Sequence, residues 1–580
     1  MESSTRVEAT DQFVIEWDAE IEMDDGVKLR ADIFRPRGDG RWPVILSHGP
    51  YGKGLAFQEG RARQWEALTG AHPDVLEGST NRYQVWEVAD PERFVPDGYV
   101  VVRVDSRGAG RSPGFLDPLS SREADDLCSC IEWAGTAPFS NGRVGLLGVS
   151  YHAINQWQAA ARRPAHLAAI CPWEGGADHY LDLVRHGGIL SSFWASWYER
   201  RVLPVQHGIG TAGPVSAVTG ELVAGPETLS NEELAANRVD LLAAQRAHPL
   251  DDDYFAARTP DLAAIEVPLL SAGNWGGHGL HARGNLEGFE RASSPDKWLE
   301  VHGGAHWEEF STTYGIELQK AFFGRFLKDE PGFGEGWRAQ LQVRHPDRYV
   351  IRREAQWPIP RTEMRAWHLD ATSCTLAGQP SATAADVSYG ALGPGVTFYG
   401  PVAEEEYEVT GRPRLSISVS TSAADADLFL VLRLFDAANR EVVFRGAQDP
   451  HVPVAHGWLR LSTRELDLTA SLRRSHVRKS PVAPDEVYAL DVELWPTSVV
   501  VPEGYRLGLS VRGRDYQFDE AEGSYGVDVD LMNGAGRCVH ADPVDRDAKL
   551  LDGTTRIHTG PDVTGTLWLP VVPPIRGETS

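Results

Sequence analysis

Apolar and polar positions alternate at first with the period of β-strands. Residues 13–23 and 27–34 show this pattern on either side of Asp25-Gly26, a dipeptide suited to a tight hairpin turn. Short apolar runs follow at residues 43–47, 99–104 and 144–148, and a helical pattern over residues 123–133 lies between the last two. Further buried strands are predicted at residues 167–172, 267–272 and 298–301. Strands and helices alternating in this order predict a mostly parallel sheet with helices on both faces.

The pattern breaks in three places. Residues 178–261 are rich in Ala, Leu, Glu and Trp with helical spacing and Gly-containing breaks, which predicts a helical cap over the carboxyl ends of the strands. Residues 55–96 form a second long insertion placed to join the same wall. After about residue 348, alternating strands at residues 414–420, 428–435, 487–494 and 505–511 predict an antiparallel sandwich or jelly roll. The expected division is an α/β domain over residues 1–177 and 262–347, a cap over 178–261 and a β domain over 348–580.

Composition narrows the function classes. At 580 residues the chain is too long for one core. A formal net charge of −26 argues against nucleic acid, whose phosphates need a basic face, and against anionic membrane surfaces. Five Cys are sparse and odd in number, which suits a reducing compartment better than a disulfide framework. The first residues lack a basic segment followed by an apolar run, and no stretch has the length of a membrane span. A soluble cytoplasmic protein is expected, with a homo-oligomer left open.

The chemistry is concentrated in Val144-Gly-Leu-Leu-Gly-Val-Ser-Tyr-His-Ala. An apolar strand enters, Gly148 permits a sharp turn and an Ala-rich helix leaves, so Ser150 is presented in a strained conformation at the sheet edge. A Gly-x-Ser match alone is weak; the strand before it and the helix after it make Ser150 a candidate nucleophile. The N–H of Tyr151, at the start of that helix, would face a developing oxyanion.

Several motifs in the same order resemble the cocaine esterase and X-prolyl dipeptidyl-peptidase (CocE/NonD) family. They are Gly49-Pro-Tyr-Gly-Lys, Asp105-Ser-Arg-Gly-Ala-Gly-Arg-Ser, Asn141-Gly-Arg-Val-Gly-Leu-Leu-Gly-Val-Ser-Tyr, Val267-Pro-Leu-Leu-Ser-Ala-Gly-Asn-Trp and Val301-His-Gly-Gly-Ala-His-Trp. Phe398-Tyr-Gly-Pro and Val501-Pro-Glu-Gly-Tyr-Arg-Leu extend the likeness into the β domain. The resemblance implies an α/β-hydrolase domain with a cap and a C-terminal jelly roll, no metal or organic cofactor, and the Tyr51 hydroxyl as second oxyanion donor beside Tyr151. This chain departs from the family at Ala153, where Gly is common.

A serine nucleophile needs a base, usually His oriented by a carboxylate. His306 follows the last expected sheet strand in a Gly-rich loop, where fold and family place the base, whereas His302 is expected to end that strand. The family's Asp is missing: Gly276 stands in its place. Glu174, on a Gly-flanked turn just past the strand at 167–172, is the expected replacement acid, with Glu308 and Glu309 as weaker candidates. His152 is expected in the pocket wall.

Three other signals carry less. His302 and His306 lack the helical setting of a zinc pair. Cys128 and Cys130 point to different faces of a helix. Gly108-x-Gly110 lacks the third glycine of a dinucleotide loop. The expected activity is hydrolysis of a small ester or amide through an acyl-enzyme on Ser150. An X-prolyl or aminoacyl peptidase, an acyltransferase, and a non-catalytic binding protein on a hydrolase scaffold stand as alternatives.

Overall fold

A computed structural model describes residues 5–465, 476–518 and 533–574. Eleven strands form the N-terminal sheet: β1 (Arg6–Ala9), β2 (Phe13–Glu22), β3 (Lys28–Pro36), β4 (Trp42–Gly49), β5 (Val100–Asp105), β6 (Ser140–Val149), β7 (Leu167–Trp173), β8 (Leu269–Asn274), β9 (Lys297–His302), β10 (Ala339–Arg344) and β11 (Tyr349–Glu354). Their order is β1-β2-β3-β5-β4-β6-β7-β8-β9-β10-β11. Pairing is parallel from β5 through β10 and antiparallel at both edges. The antiparallel strand β11 carries the sheet past residue 347, where the sequence pattern had marked a change.

Alternation explains why this sheet is covered twice. Val44, Leu46, Val100, Val102, Val144 and Leu146 pack on one face, under α1 (Ser121–Thr136), α2 (Tyr151–Arg162) and α3 (Ala282–Arg291). Ile45, Val101, Leu147 and Val149 pack on the other, against Phe322, Phe323 and Leu327 of α4 (Thr313–Lys328). Each such buried aliphatic side chain contributes roughly 1.5–3 kcal/mol relative to exposure, and both faces being apolar is what a parallel sheet requires.

The Asp105-Ser-Arg-Gly-Ala-Gly-Arg-Ser motif is architectural. The Asp105 carboxylate accepts from the Lys53 N–H at 2.6 Å and the Arg111 N–H at 2.9 Å, while Arg107 pairs with Asp126 at 2.7 Å. A Cβ on Gly110 would lie 2.2 Å from the Asp105 carboxyl group, so the turn closes tightly over that residue.

The segment after β7 builds the cap from short pieces, including His179–Val184, Phe193–Trp197, Tyr198–Val202, Asn231–Ala236 and Leu241–Ala247. The C-terminal all-β jelly-roll domain forms a second, 14-stranded sheet system around its own core of residues such as Leu415, Leu430, Leu509 and Leu569. It is fastened to the hydrolase domain beside the site: Ala447 O accepts from His306 N at 3.0 Å, and Ala447 N donates to Gly276 O at 3.2 Å. The five cysteines are free. Among the described residues, no helix is long and apolar enough to cross a membrane.

Candidate active site

Ser150 sits between β6 and α2 with φ 56° and ψ −114°, a conformation that L residues rarely adopt. Its N–H donates to Trp173 O at 2.9 Å, and Val149 N–H donates to Glu87 O at 2.9 Å, which holds the elbow from two sides. A Cβ on Gly148 would lie 2.3 Å from the His152 Cβ, so the turn requires glycine there. Ala153 replaces the family's usual glycine, and space for its methyl group comes from Gly175: a Cβ on Gly175 would lie 2.6 Å from that of Ala153. The helix keeps its close approach to β7 because the residue facing Ala153 is glycine.

The Ser150 Oγ lies 3.2 Å from Nε2 of His281, at the start of α3. His306, the base expected from sequence, is not the partner of Oγ. Its Nδ1 lies 2.8 Å from Oε2 of Glu174 and its Nε2 lies 2.9 Å from Oε1 of Glu87. The His281 and His306 rings stack 5.0 Å apart at 12°. Among the described residues His281 Nδ1 has no hydrogen-bond partner, and it lies 3.9 Å from Glu174 Oε2.

Glu174 occupies the turn after β7 at φ 46°, and its N–H donates to Ala272 O at 2.7 Å. Its carboxylate gathers three further groups: His306, His302 Nε2 at 3.1 Å and Asn274 Nδ2 at 3.3 Å. His302 ends β9 and passes the network on to Glu300 at 2.7 Å. All four ionisable groups, with His281, are buried. Glu308 pairs instead with Arg445, and Glu309 accepts from Gln342.

These contacts set the charges. Burial would raise the Glu174 carboxyl, but His306 and His302 hold it well below the usual range. Burial would depress His306, yet Glu174 and Glu87 on its two nitrogens raise it to about 10. Burial, then the neighbouring His306 charge, lowers His281 to about 3. At neutral pH His306 is therefore an imidazolium with both N–H groups committed, while His281 is neutral, and its tautomer with hydrogen on Nδ1 would offer the Nε2 lone pair to Ser150. Glu174, His281 and His306 have ligand atoms within 4.8 Å of one another. With both His306 nitrogens on carboxylates, the cluster forms an acid–base network.

Tyr51 and Ser150 line one cavity, with Trp86, Trp197 and His306 in its wall. The Tyr51 hydroxyl accepts from Trp197 Nε1 at 3.1 Å, leaving its own hydrogen to be donated. Tyr151 opens α2, where the first N–H groups have no partner within the helix. Its phenol is buried against Glu123 and accepts from Leu119 N at 3.0 Å. The His152 Nδ1 faces His48 O at 3.0 Å, which keeps that ring in the wall.

The comparisons with known proteins follow the same outline. The family described as X-Pro dipeptidyl-peptidase (S15 family) matches residues 25–308, and the X-Pro dipeptidyl-peptidase C-terminal non-catalytic domain matches residues 335–561. A solved CocE/NonD family hydrolase from Staphylococcus aureus is 30% identical, covers 99% of this chain and 97% of its own, and superposes with a TM-score of 0.83. The chain belongs to the CocE/NonD family. It is a serine hydrolase. The cocaine esterase of Rhodococcus sp. (strain MB1 Bresler) is 25% identical over 95% of this chain and 97% of that esterase. A putative Xaa-Pro dipeptidyl-peptidase of Streptomyces avermitilis is 23% identical over 93% of this chain and 86% of its own.

Gly276, where the sequence resemblance led an acid to be expected, has no room for a side chain. A Cβ there would lie 2.3 Å from the Gly446 Cα, because the jelly-roll backbone runs directly against it. Gly276→Asp is expected to lower stability by about 1–3 kcal/mol or more through overpacking, with no gain in turnover. Thermal melting beside an ester assay checks both; a stable, faster variant would contradict it.

Sequence reasoning missed Glu87 and His281. Glu87 lies in the 55–96 insertion at φ 65°, and its place in the sequence gives no sign that it reaches His306. His281 follows β8, where α/β-hydrolases commonly carry the acid, so its position was a usable signal. The residue type was not the expected one.

Proposed function

We propose that this serine hydrolase cleaves an ester or amide of a small acyl group through a covalent acyl-enzyme on Ser150. The observation that carries the reading is the 3.2 Å contact between Ser150 Oγ and His281 Nε2, made from a nucleophile at positive φ. His281 takes the hydroxyl proton as Oγ attacks the carbonyl carbon, and Tyr151 N–H and Tyr51 O–H donate to the oxyanion. The protonated His281 then gives its proton to the departing alcohol or amine. Water enters by the same route in reverse and releases the acid.

Charge balance supports His281 as proton acceptor. His306 and His302 hold the Glu174 carboxyl low, so it carries the negative charge of the network, whereas burial raises Glu87 and Glu300. The Glu174 carboxylate, 3.9 Å from His281 Nδ1, favours a proton arriving on His281. A second reading keeps His306 as the base, favoured by its loop after β9 and by Glu174 at 2.8 Å from its Nδ1. It requires Glu87 to leave Nε2.

The two readings diverge in mutant kinetics and pH dependence. With His281 as base, His281→Asn is expected to lower kcat/KM by about 10³-fold or more. The acid limb of the wild-type profile then lies well below 6.5, in line with the lowered His281 value. With His306 as base, His306→Asn suffers the larger loss, and activity climbs toward the alkaline value near 10. Profiles of both variants on one ester decide between them.

An ester or acyl amide without a free amino group fits better than a peptide N-terminus. Among the described residues lining the cavity, the carboxylate is Glu87, and His306 already holds it.

A further inference from the structure

We propose that Trp197, from the cap, is a positioning residue for the oxyanion hole: its indole N–H orients the Tyr51 hydroxyl, and its ring packs on Tyr151, whose N–H is the other donor. This role rests on the hydrolase reading above and deepens it.

Trp197 ends the short helix Phe193–Trp197. Its ring is buried between two others, stacked on Tyr151 at 5.8 Å and 14° and edge-on to Trp194 at 4.8 Å and 75°. A buried indole N–H requires an acceptor. Trp194, on the same helix, meets that need with a main-chain carbonyl, Leu183 O at 2.6 Å. Trp197 Nε1 instead donates to the Tyr51 hydroxyl at 3.1 Å, across 146 residues of sequence. One side chain therefore touches both residues that supply oxyanion donors, and all its polar reach goes to one of them.

A phenol hydrogen lies in the plane of its ring and has two positions there. An N–H arriving at the oxygen must meet a lone pair, so the hydrogen takes the position turned away from Trp197. The same bond polarises the hydroxyl and strengthens what it donates. Burial, then the Glu87 carboxyl, holds Tyr51 well above the usual phenol range, so its hydrogen is present at neutral pH. The Trp197 bond acts in the opposite direction and makes that hydrogen the easier to share. Tyr51, Ser150 and Trp197 line one cavity. A donor already aimed lowers the barrier more than one that must turn as charge develops on the substrate oxygen.

The test is a double-mutant cycle on 4-nitrophenyl acetate with Trp197→Phe, Tyr51→Phe and the two together. Tyr51→Phe is expected to lower kcat/KM by about 10²-fold. Trp197→Phe is expected to lower it by about tenfold when Tyr51 is present and by less than about twofold once Tyr51 is replaced. Packing alone would give the same loss in both backgrounds, and that result overturns the inference. Trp197→3-benzothienylalanine keeps the shape of the ring and removes only the N–H, so it reads the hydrogen bond where Trp197→Phe folds poorly. Turnover unchanged by this replacement also overturns the inference. The rate of labelling by a fluorophosphonate repeats the cycle without an ester, because attack of Ser150 on phosphorus expels fluoride and puts a negative oxygen in the same hole. Ser150-dependent turnover or labelling with an additive cycle leaves the hydrolase reading intact and removes Trp197 from it. A wild-type enzyme that is neither labelled nor active on the ester overturns both.

Discussion

Ser150→Ala is expected to lower kcat/KM toward an activated ester by about 10⁴-fold or more, and to abolish labelling by a fluorophosphonate probe. The substitution removes the Oγ that lies 3.2 Å from His281 and leaves the surrounding network untouched. Alanine meets the same steric demand at φ 56° as serine does, so the elbow carries no new strain. A melting temperature close to that of the wild type is therefore expected. Residual catalysis over water would come from the donors of Tyr51 and Tyr151, which the variant retains. Full labelling of Ser150→Ala would place the nucleophile elsewhere.

What the sequence disclosed follows from how local each feature is. The nucleophile elbow was legible because strand, Gly148, Ser150 and helix are contiguous, and steric exclusion at Gly148 acts within a few residues. The parallel strands were legible from apolar runs that bury both faces. Glu174 was legible because the turn after β7 opens at the carboxyl edge, and its carboxylate meets His306 Nδ1 at 2.8 Å. The contact of His281 with Ser150 was not, since it depends on how the start of α3 packs across the strand ends. Glu87 reaches the site only through the fold of a long insertion. The obstacle at Gly276 belongs to the backbone of Gly446, which lies in another domain. Contacts of this kind are set by tertiary docking and leave no periodic trace in the sequence.

Glu174→Gln is the other substitution with a large expected effect, because one carboxylate serves several histidines. It accepts from His306 at 2.8 Å and His302 at 3.1 Å, and it faces His281 at 3.9 Å. The amide keeps the shape but loses the charge, leaving buried imidazoliums short of a counter-ion. Breaking a buried pair from one side costs roughly 3–5 kcal/mol. The pH dependence has a defined sign. Glu174 is depressed, so its contribution is present above the ordinary carboxylate range and is lost as pH falls through its lowered value. His306 is raised, so its contribution is full below 6.5 and is lost as pH rises through about 10. The stability gap between wild type and variant should thus be widest from about pH 5 to about pH 7 and should close at both extremes. Turnover is expected to fall by about 10³- to 10⁴-fold, since the imidazole network loses the charge that orients it. His306→Asn removes one partner and leaves Glu174 on His302, so its stability loss should be the smaller. Denaturant unfolding across pH, run beside ester kinetics, measures both effects. A Glu174→Gln enzyme with wild-type turnover would remove the carboxylate from the mechanism, and one with unchanged stability at neutral pH would remove it from the charge balance.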